Sequence, residues 1–172
     1  MNQIPELLTA FRAYNSGRDL LGVVDITLPD IEQMTETIKG AGVAGETEVA
    51  VIGHTAAMTL TLNFRTQTAA TFELLQPEAQ QIELRGAIQA HDPATGKRST
   101  IPVKVVTKST PKKLALGKLD SGSMMDTNLE FDVTYIKLTH NNKEVFEIDK
   151  LNFIYIVNGT DYLVDTRTAL GI

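Results

Sequence analysis

Two carboxylate pairs, Glu130/Asp132 and Glu147/Asp149, hold the residues of this chain whose types and spacing come nearest to chemistry. On a strand, residues two apart project from one face, so each pair presents two acids side by side. As a general acid and base, such a pair needs a cleft and environments that hold its two pKa values apart. The flanking sequence offers neither, because Leu129, Phe131 and Val133 alternate with the first pair as on an ordinary amphipathic strand. Two readings stand: a solvated sheet face, or an acidic surface that repels a polyanion. Asp25 and Glu83 would extend such a field, while Arg85 and Lys137 would dilute it.

Other chemistries find less support. His54, His91 and His140 lie far apart, each beside an expected turn, and none belongs to a compact ligand motif. No metal and no cofactor are expected. The chain has no cysteine, which removes disulfides, thiolate metal sites and a cysteine nucleophile. The run from Gly40 through Gly42 to Gly45 looks like a phosphate loop only in its glycines. No Lys-Ser or Lys-Thr closes it and no βαβ unit surrounds it, so it reads as a mobile hairpin or loop. Lys108, Lys112 and Lys113 form the densest basic patch, read as a solvated loop or an intersubunit contact. With 21 acidic against 16 basic residues, the net charge of −5 argues against a tight phosphate-neutralising nucleic-acid binder. It does not argue against a wall past which DNA slides.

The elements that position these residues are mostly strands. The 172 residues fit one domain with a single core. Leu7, Leu8, Phe11 and Tyr14 are spaced like one side of a short helix, and a strand is expected over 19–28, ended by Pro29. Residues 31–37 read as strand, although Ile31, Met34 and Ile38 fit helical spacing too. Residues 35–52 read as a flexible segment whose returning arm begins near Glu48. Met58, Leu60, Leu62 and Phe64 alternate with Thr59, Thr61 and Asn63, a strong strand signal. Ala69, Phe72 and Leu75 shift to three-residue spacing, predicting a helix of about three turns closed by Pro77. Residues 81–90 and 101–105 form a hairpin over the turn 92–96. Residues 109–126 read as a loop or short extended excursion.

The final pair of long strands, 129–138 and 148–157, turns at Asn141-Asn142, and a change of apolar parity at Tyr135-Ile136 predicts a bulge. The fold class is therefore mainly β, an antiparallel barrel or sandwich with one principal short helix and a long hairpin or loop. No run of eighteen apolar residues and no basic, apolar leader is present, so the chain reads as soluble, without stable membrane insertion.

Dispersed residues add a resemblance. Tyr14-Asn15, Gly17, Leu20, Gly22, Leu28-Pro29 and Gly40-Ala41-Gly42 come first. Tyr135-Ile136-Lys137-Leu138, Glu147-Ile148-Asp149, Asn152, the run 157–161, Arg167 and Leu170-Gly171 follow. In this order, over nearly the whole chain, they resemble the major tail tube proteins of P2-like contractile bacteriophage tails and related phage-tail-like bacteriocins. The C-terminal block is the more specific. Asn141-Asn142 stands where the family often has Asp-Gly.

That resemblance implies a non-enzymatic structural subunit, residues 1–172 forming one tail-tube domain that closes six-membered rings. Stacked rings make a tube within a contractile sheath. It implies baseplate, tail-terminator and tape-measure partners, a place in the virion tail after assembly in the bacterial cytoplasm, and passage of DNA without specific binding. Glu130 and Asp132, then Glu147 and Asp149, become the expected lumen residues. Gly40, Gly42 and Gly45 become the expected inter-ring contact, on an axial hairpin. A bacteriocin or secretion tube is the alternative within this architecture; a β-barrel that binds a small molecule is a more distant one.

Overall fold

The computed structural model describes residues 3–20 and 22–172. Met1, Asn2 and Leu21, which fall within the expected N-terminal helix and the expected strand 19–28, lie outside the described residues. Strands occupy β1 (Ile4–Asn15), β2 (Arg18–Asp19), β3 (Val23–Thr27), β4 (Gln33–Lys39), β5 (Glu46–Thr55) and β6 (Met58–Phe64). Helix α1 (Ala69–Glu73) precedes β7 (Gln80–His91), β8 (Arg98–Ala115), β9 (Thr127–His140) and β10 (Lys143–Asp149). After β11 (Ile154–Val157) and β12 (Thr160–Asp161), helix α2 (Val164–Leu170) completes the chain's elements.

One antiparallel sheet runs in the order β12-β11-β10-β9-β8-β7-β1-β2, and β6, carrying β3, branches from β9 without closing a barrel. Strand β9 organises it. Its first half, Thr127 to Val133, pairs with β6, and its second half, Tyr135 to His140, pairs with β10, while β8 follows the other edge throughout. The changeover falls on a bulge: Lys108 faces Tyr135 and Ser109 faces Val133, leaving Thr134 as the extra residue. The bulge expected from parity at Tyr135-Ile136 thus lies one residue earlier, and Thr134 donates its hydroxyl to the Lys108 carbonyl at 3.4 Å.

The alternating residues of β6 and β9 form the core. Met58, Leu60, Leu62 and Leu129, with Phe131, are fully buried against Ile82, Leu84, Val105 and Ile148. All project from one face of the sheet. Five-residue α1 is too small to cover them alone, and Leu74, directly after it, is fully buried in the same cluster. Fully burying a residue such as Phe131 or Leu62 is worth about 1.5–3 kcal/mol.

Several expectations are corrected. The N-terminal segment is strand β1, not a helix. Register shifts at Glu6 and Thr9 each skip one residue, which puts Leu8, Phe11 and Ala13 on one face and imitates helical spacing. Helix α1 is about half the expected length, capped by Thr68, whose hydroxyl accepts the Thr71 amide at 3.4 Å. Strand β8 continues to Ala115, so the first part of the segment 109–126, expected as a loop or short extended excursion, is extended, and only residues 116–126 of it are irregular. The second long strand, 148–157, is two strands broken by a turn in which Phe153 takes φ +52°. Helix α2 was not anticipated. Asn141 and Asn142 adopt φ +49° and +60°, the left-handed pair that a two-residue type I′ hairpin demands, so they serve here as Asp-Gly would.

Strands β4 and β5 pair only with each other and form a separate two-stranded arm. Its root is clamped by the C-terminal region. Lys150 donates to the Ala56 carbonyl at 2.6 Å, Gln33 reaches the Tyr155 hydroxyl at 3.4 Å, and Leu163 fills the space a side chain at Gly53 would need.

Candidate functional site

Two features stand apart from the core: the polar face of the sheet and the unpartnered arm. On the polar face, register sets Asp132 opposite Thr59, Glu130 opposite Thr61 and Asn63 opposite Asp25. Every residue in this patch alternates with a core residue, so burial of Leu60, Leu62, Leu129 and Phe131 dictates which side the polar groups occupy. Asn63 donates its side-chain amide to Asp25.

The four predicted acids have different fates. Glu130 accepts Lys113 at 2.9 Å from β8. The Asp132 side chain makes no ion pair or hydrogen bond with the described residues. Glu147 accepts the Tyr135 hydroxyl at 2.8 Å and lies 3.6 Å from Lys137, which also binds Glu144 at 2.6 Å. Burial, then the hydrogen bond to Glu147, push the Tyr135 phenol well above its ordinary pKa.

Asp149 requires a correction. It is 8% exposed, and its oxygens accept the Leu151 amide at 3.0 Å, the Asn152 amide at 3.1 Å and the Asn152 side chain at 2.7 Å. Strand β10 ends on this residue and the chain turns over it, so alternation no longer carries the side chain to solvent. Asp149 holds a turn together, and it is not available to a solvated acidic face.

The sheet face is also less acidic than the carboxylate spacing implied. Basic residues of β7 and β8 lie beside the acids. Lys104 approaches Glu83 at 3.1 Å and Arg85 approaches it at 2.5 Å. Burial raises the Glu83 pKa, but the hydrogen bonds from Arg85 and Lys104 outweigh it, and the net displacement is downward. Continuing β8 through Pro111 and Lys113 would have revealed the Lys113–Glu130 pair. Thr107 and Ser109 hide that continuation: they face the core as a buried hydroxyl pair 3.0 Å apart and break the apolar pattern.

The arm carries the predicted glycines at its tip. Gly40, Gly42 and Gly45 have φ of +130°, +94° and +118°, conformations glycine adopts at little cost, and a Cβ on any of them would meet no neighbour within 4 Å. Their requirement is therefore the turn itself. Behind the tip, Glu36 faces Val49 and Ile38 faces Thr47, so Met34, Ile38, Val49 and Val51 share one face while Thr35, Thr37, Lys39, Glu46 and Glu48 share the other. The apolar face is uncovered.

A third cluster fixes the C-terminus. Arg167 donates to Asp161 at 2.6 Å and to the Phe153 carbonyl at 2.6 Å, and the guanidinium holds the Asp161 carboxyl below its ordinary pKa. Asp165 in the first turn and Gly171 at φ +73° past the last were the sequence signals for α2. Among the described residues, no group of three or more His, Asp or Glu side chains is arranged to hold a metal, and no helix is long and apolar enough to cross a membrane.

The fold is similar to the sheath/tube terminator structure of an extracellular contractile injection system, PVC, in the extended state. That match has a TM-score of 0.57 at 13% identity, covering 81% of this chain and 99% of the other. It is similar as well to a chain of the extended PVC sheath–tube complex, with a TM-score of 0.53 at 13% identity over 75% and 87% of the two chains.

The sequence narrows this further. Residues 5–171 match the family of phage tail tube protein FII, and the chain belongs to that family, whose members are structural tail proteins. It is 28% identical to the tail tube protein of Escherichia phage P2 over 98% of this chain and 99% of that protein. The chain is a tail tube subunit.

Proposed function

We propose that copies of this chain close into rings of six, that the rings stack into a tube inside a contractile sheath, and that the polar face of β3, β6 and β9 borders the central channel. The observation that carries this reading is the register across β3, β6 and β9. It sets hydroxyls, amides and carboxylates (Thr59, Thr61, Asn63, Glu130, Asp132) in one continuous patch opposite the core. Glu147 extends the wall less effectively because its charge is already shared with Lys137 and Tyr135. Asp149 takes no part.

Such a wall favours passage over adhesion. Asp132 repels phosphates, and the neutral groups offer no lattice of cations to grip them. The field of the free carboxylate reaches only about 8 Å at physiological salt, so it acts on DNA close to the wall. The sheath would contact the tube from outside, the baseplate and terminator its two ends, and the tape-measure protein its interior during assembly. Gly40, Gly42 and Gly45 would let the arm adopt its contact geometry with the neighbouring ring.

The test is the double substitution Glu130→Lys/Asp132→Lys in particles assembled in cells. Tubes should still form, because both residues are solvent-facing, while DNA delivery falls at least tenfold and recovers as salt is raised. Unchanged delivery, or a particle map with both residues on the outer wall, would refute the channel assignment. The fold shared with an extracellular injection system favours one second reading, a tube in a headless particle. Purified particles that lack capsid and DNA would select it.

A further inference from the structure

We infer that the loop 116–126 of one copy is the seat for the apolar face of the β4–β5 arm of a second copy, with Leu119 as its central contact. This rests on the stacked-tube reading and names the partner surface of the arm.

The two ends of β6 carry the two surfaces. Strand β5 ends at Thr55 and β6 begins at Met58, yet they do not pair, so the chain does not fold back and the arm leaves from the Met58 end. The loop is fastened at the opposite end, where the Met125 amide donates to the Arg65 carbonyl at 2.8 Å. A seven-residue strand separates the two by about 20 Å. Head-to-tail stacking joins unlike surfaces from opposite ends of a protomer and leaves the assembly open to growth.

Both surfaces lack a cover. A lone two-stranded hairpin is marginally stable in water, and this one shows solvent Met34, Ile38, Val49 and Val51 on one face. At the other end Leu119 is 90% exposed, flanked by exposed Leu116 and Met124. The loop holding them is a built structure. Lys118 donates its amide to Met125 at 2.8 Å, Gln67 binds the Leu116 carbonyl at 2.7 Å, and Gly117 passes so close that a Cβ would lie 1.9 Å from the Met125 oxygen. Holding Leu119 out in this way costs apolar hydration unless something covers it.

Charge agrees with the pairing. Glu36, on the arm's apolar face, makes no ion pair among the described residues. Neither do Arg65 and Lys112 beside the loop, so an unpaired acid of the arm would meet unpaired cations at the seat. A further uncovered apolar surface among the described residues is a groove of about 390 Å³ lined by Leu8, Phe11, Ile26, Leu28, Ile88 and Val103. It has Arg85 at its border, already bound to Glu83, and it lies along the flank of the sheet.

The absence of native cysteine makes the test direct. Ile38→Cys and Leu119→Cys chains are co-produced with the remaining particle proteins and the tails are oxidised. Disulfide-linked pairs carrying one chain of each kind are expected wherever an Ile38→Cys arm meets a Leu119→Cys loop, and Leu119→Asp should cut tube yield at least tenfold with an unchanged monomer melt. Tubes that form normally with Leu119→Asp, or that link Ile38→Cys to Ile88→Cys instead, would overturn the docking inference and leave the tube reading intact. Wild-type chains excluded from the tail would overturn both.

Discussion

Replacing Asp149 with alanine separates a structural carboxylate from a channel one. The side chain is buried and accepts three hydrogen bonds, two from amides of the following turn and one from Asn152. A bond to a charged acceptor contributes roughly 1.5–3 kcal/mol, but Leu151 and Asn152 are exposed and water recovers part of the loss at their amides. A net cost of about 2–4 kcal/mol follows, a large part of the roughly 5–15 kcal/mol that stabilises an ordinary domain. At about 2–4 °C per kcal/mol for a chain of this size, thermal unfolding of the monomer followed by circular dichroism should shift down by roughly 5–15 °C. Asp149→Asn keeps one acceptor for the backbone amides but sets two donors against each other at Asn152, and should lose about half as much. An alanine variant that melts within about 1 °C of wild type while DNA delivery collapses would refute the reasoning and return Asp149 to the wall.

Three further outcomes are expected. Gly117→Ala puts a Cβ against the Met125 backbone oxygen, which cannot swing away, so hydrogen exchange at the Lys118 and Met125 amides should accelerate by roughly tenfold to a hundredfold with little change in global melting; unaltered exchange would mean the loop is not held by this contact. Gly42→Val meets no neighbour but forces a β-branched residue to φ +94°, so tube assembly in electron micrographs should fail while monomer stability falls by no more than about 1–2 kcal/mol; equal loss of both would make the tip a folding element. Arg167 lowers the Asp161 pKa, so this pair's contribution is present above the unfolded aspartate value of about 3.9 and is lost as pH falls through the lower folded value. The melting difference between wild type and Arg167→Gln should therefore shrink as the medium is acidified below about pH 4, and a constant difference would contradict it.

How much was legible depended on whether local pattern and final packing agreed. Where β6 and β9 alternate strictly, one face must be buried and the sequence reports it directly, with the bulge at Thr134 one residue before the expected Tyr135-Ile136. Where register slips, the signal inverts: the shifts at Glu6 and Thr9 made an edge strand look helical, and only pairing with β7 distinguishes the two. The polar hydroxyls of Thr107 and Ser109 occupy inward positions because they satisfy each other, a tertiary fact that no window of β8 contains. The acid spacing of Glu130/Asp132 survives as a shared face, whereas Glu147/Asp149 is split by a turn that a parity break between Ile148 and Leu151 already announced. The lysines that neutralise the face come from a strand more than fifteen residues upstream of Glu130, such as Lys113, whose separation is 17 residues. Charge at a surface is a sum over strands, and one strand shows only its own addend.

The clamp at the root of the arm has a temporal side. Lys150 reaches back 94 residues to Ala56, so a growing polypeptide exposes the hairpin before its anchor exists. At about 5–20 residues per second, translation leaves an interval of roughly 5–20 s in which nothing fixes the projection's aim. Nascent chains are thereby poor joiners, and premature filament growth on the polysome is disfavoured by the order in which the polymer is written.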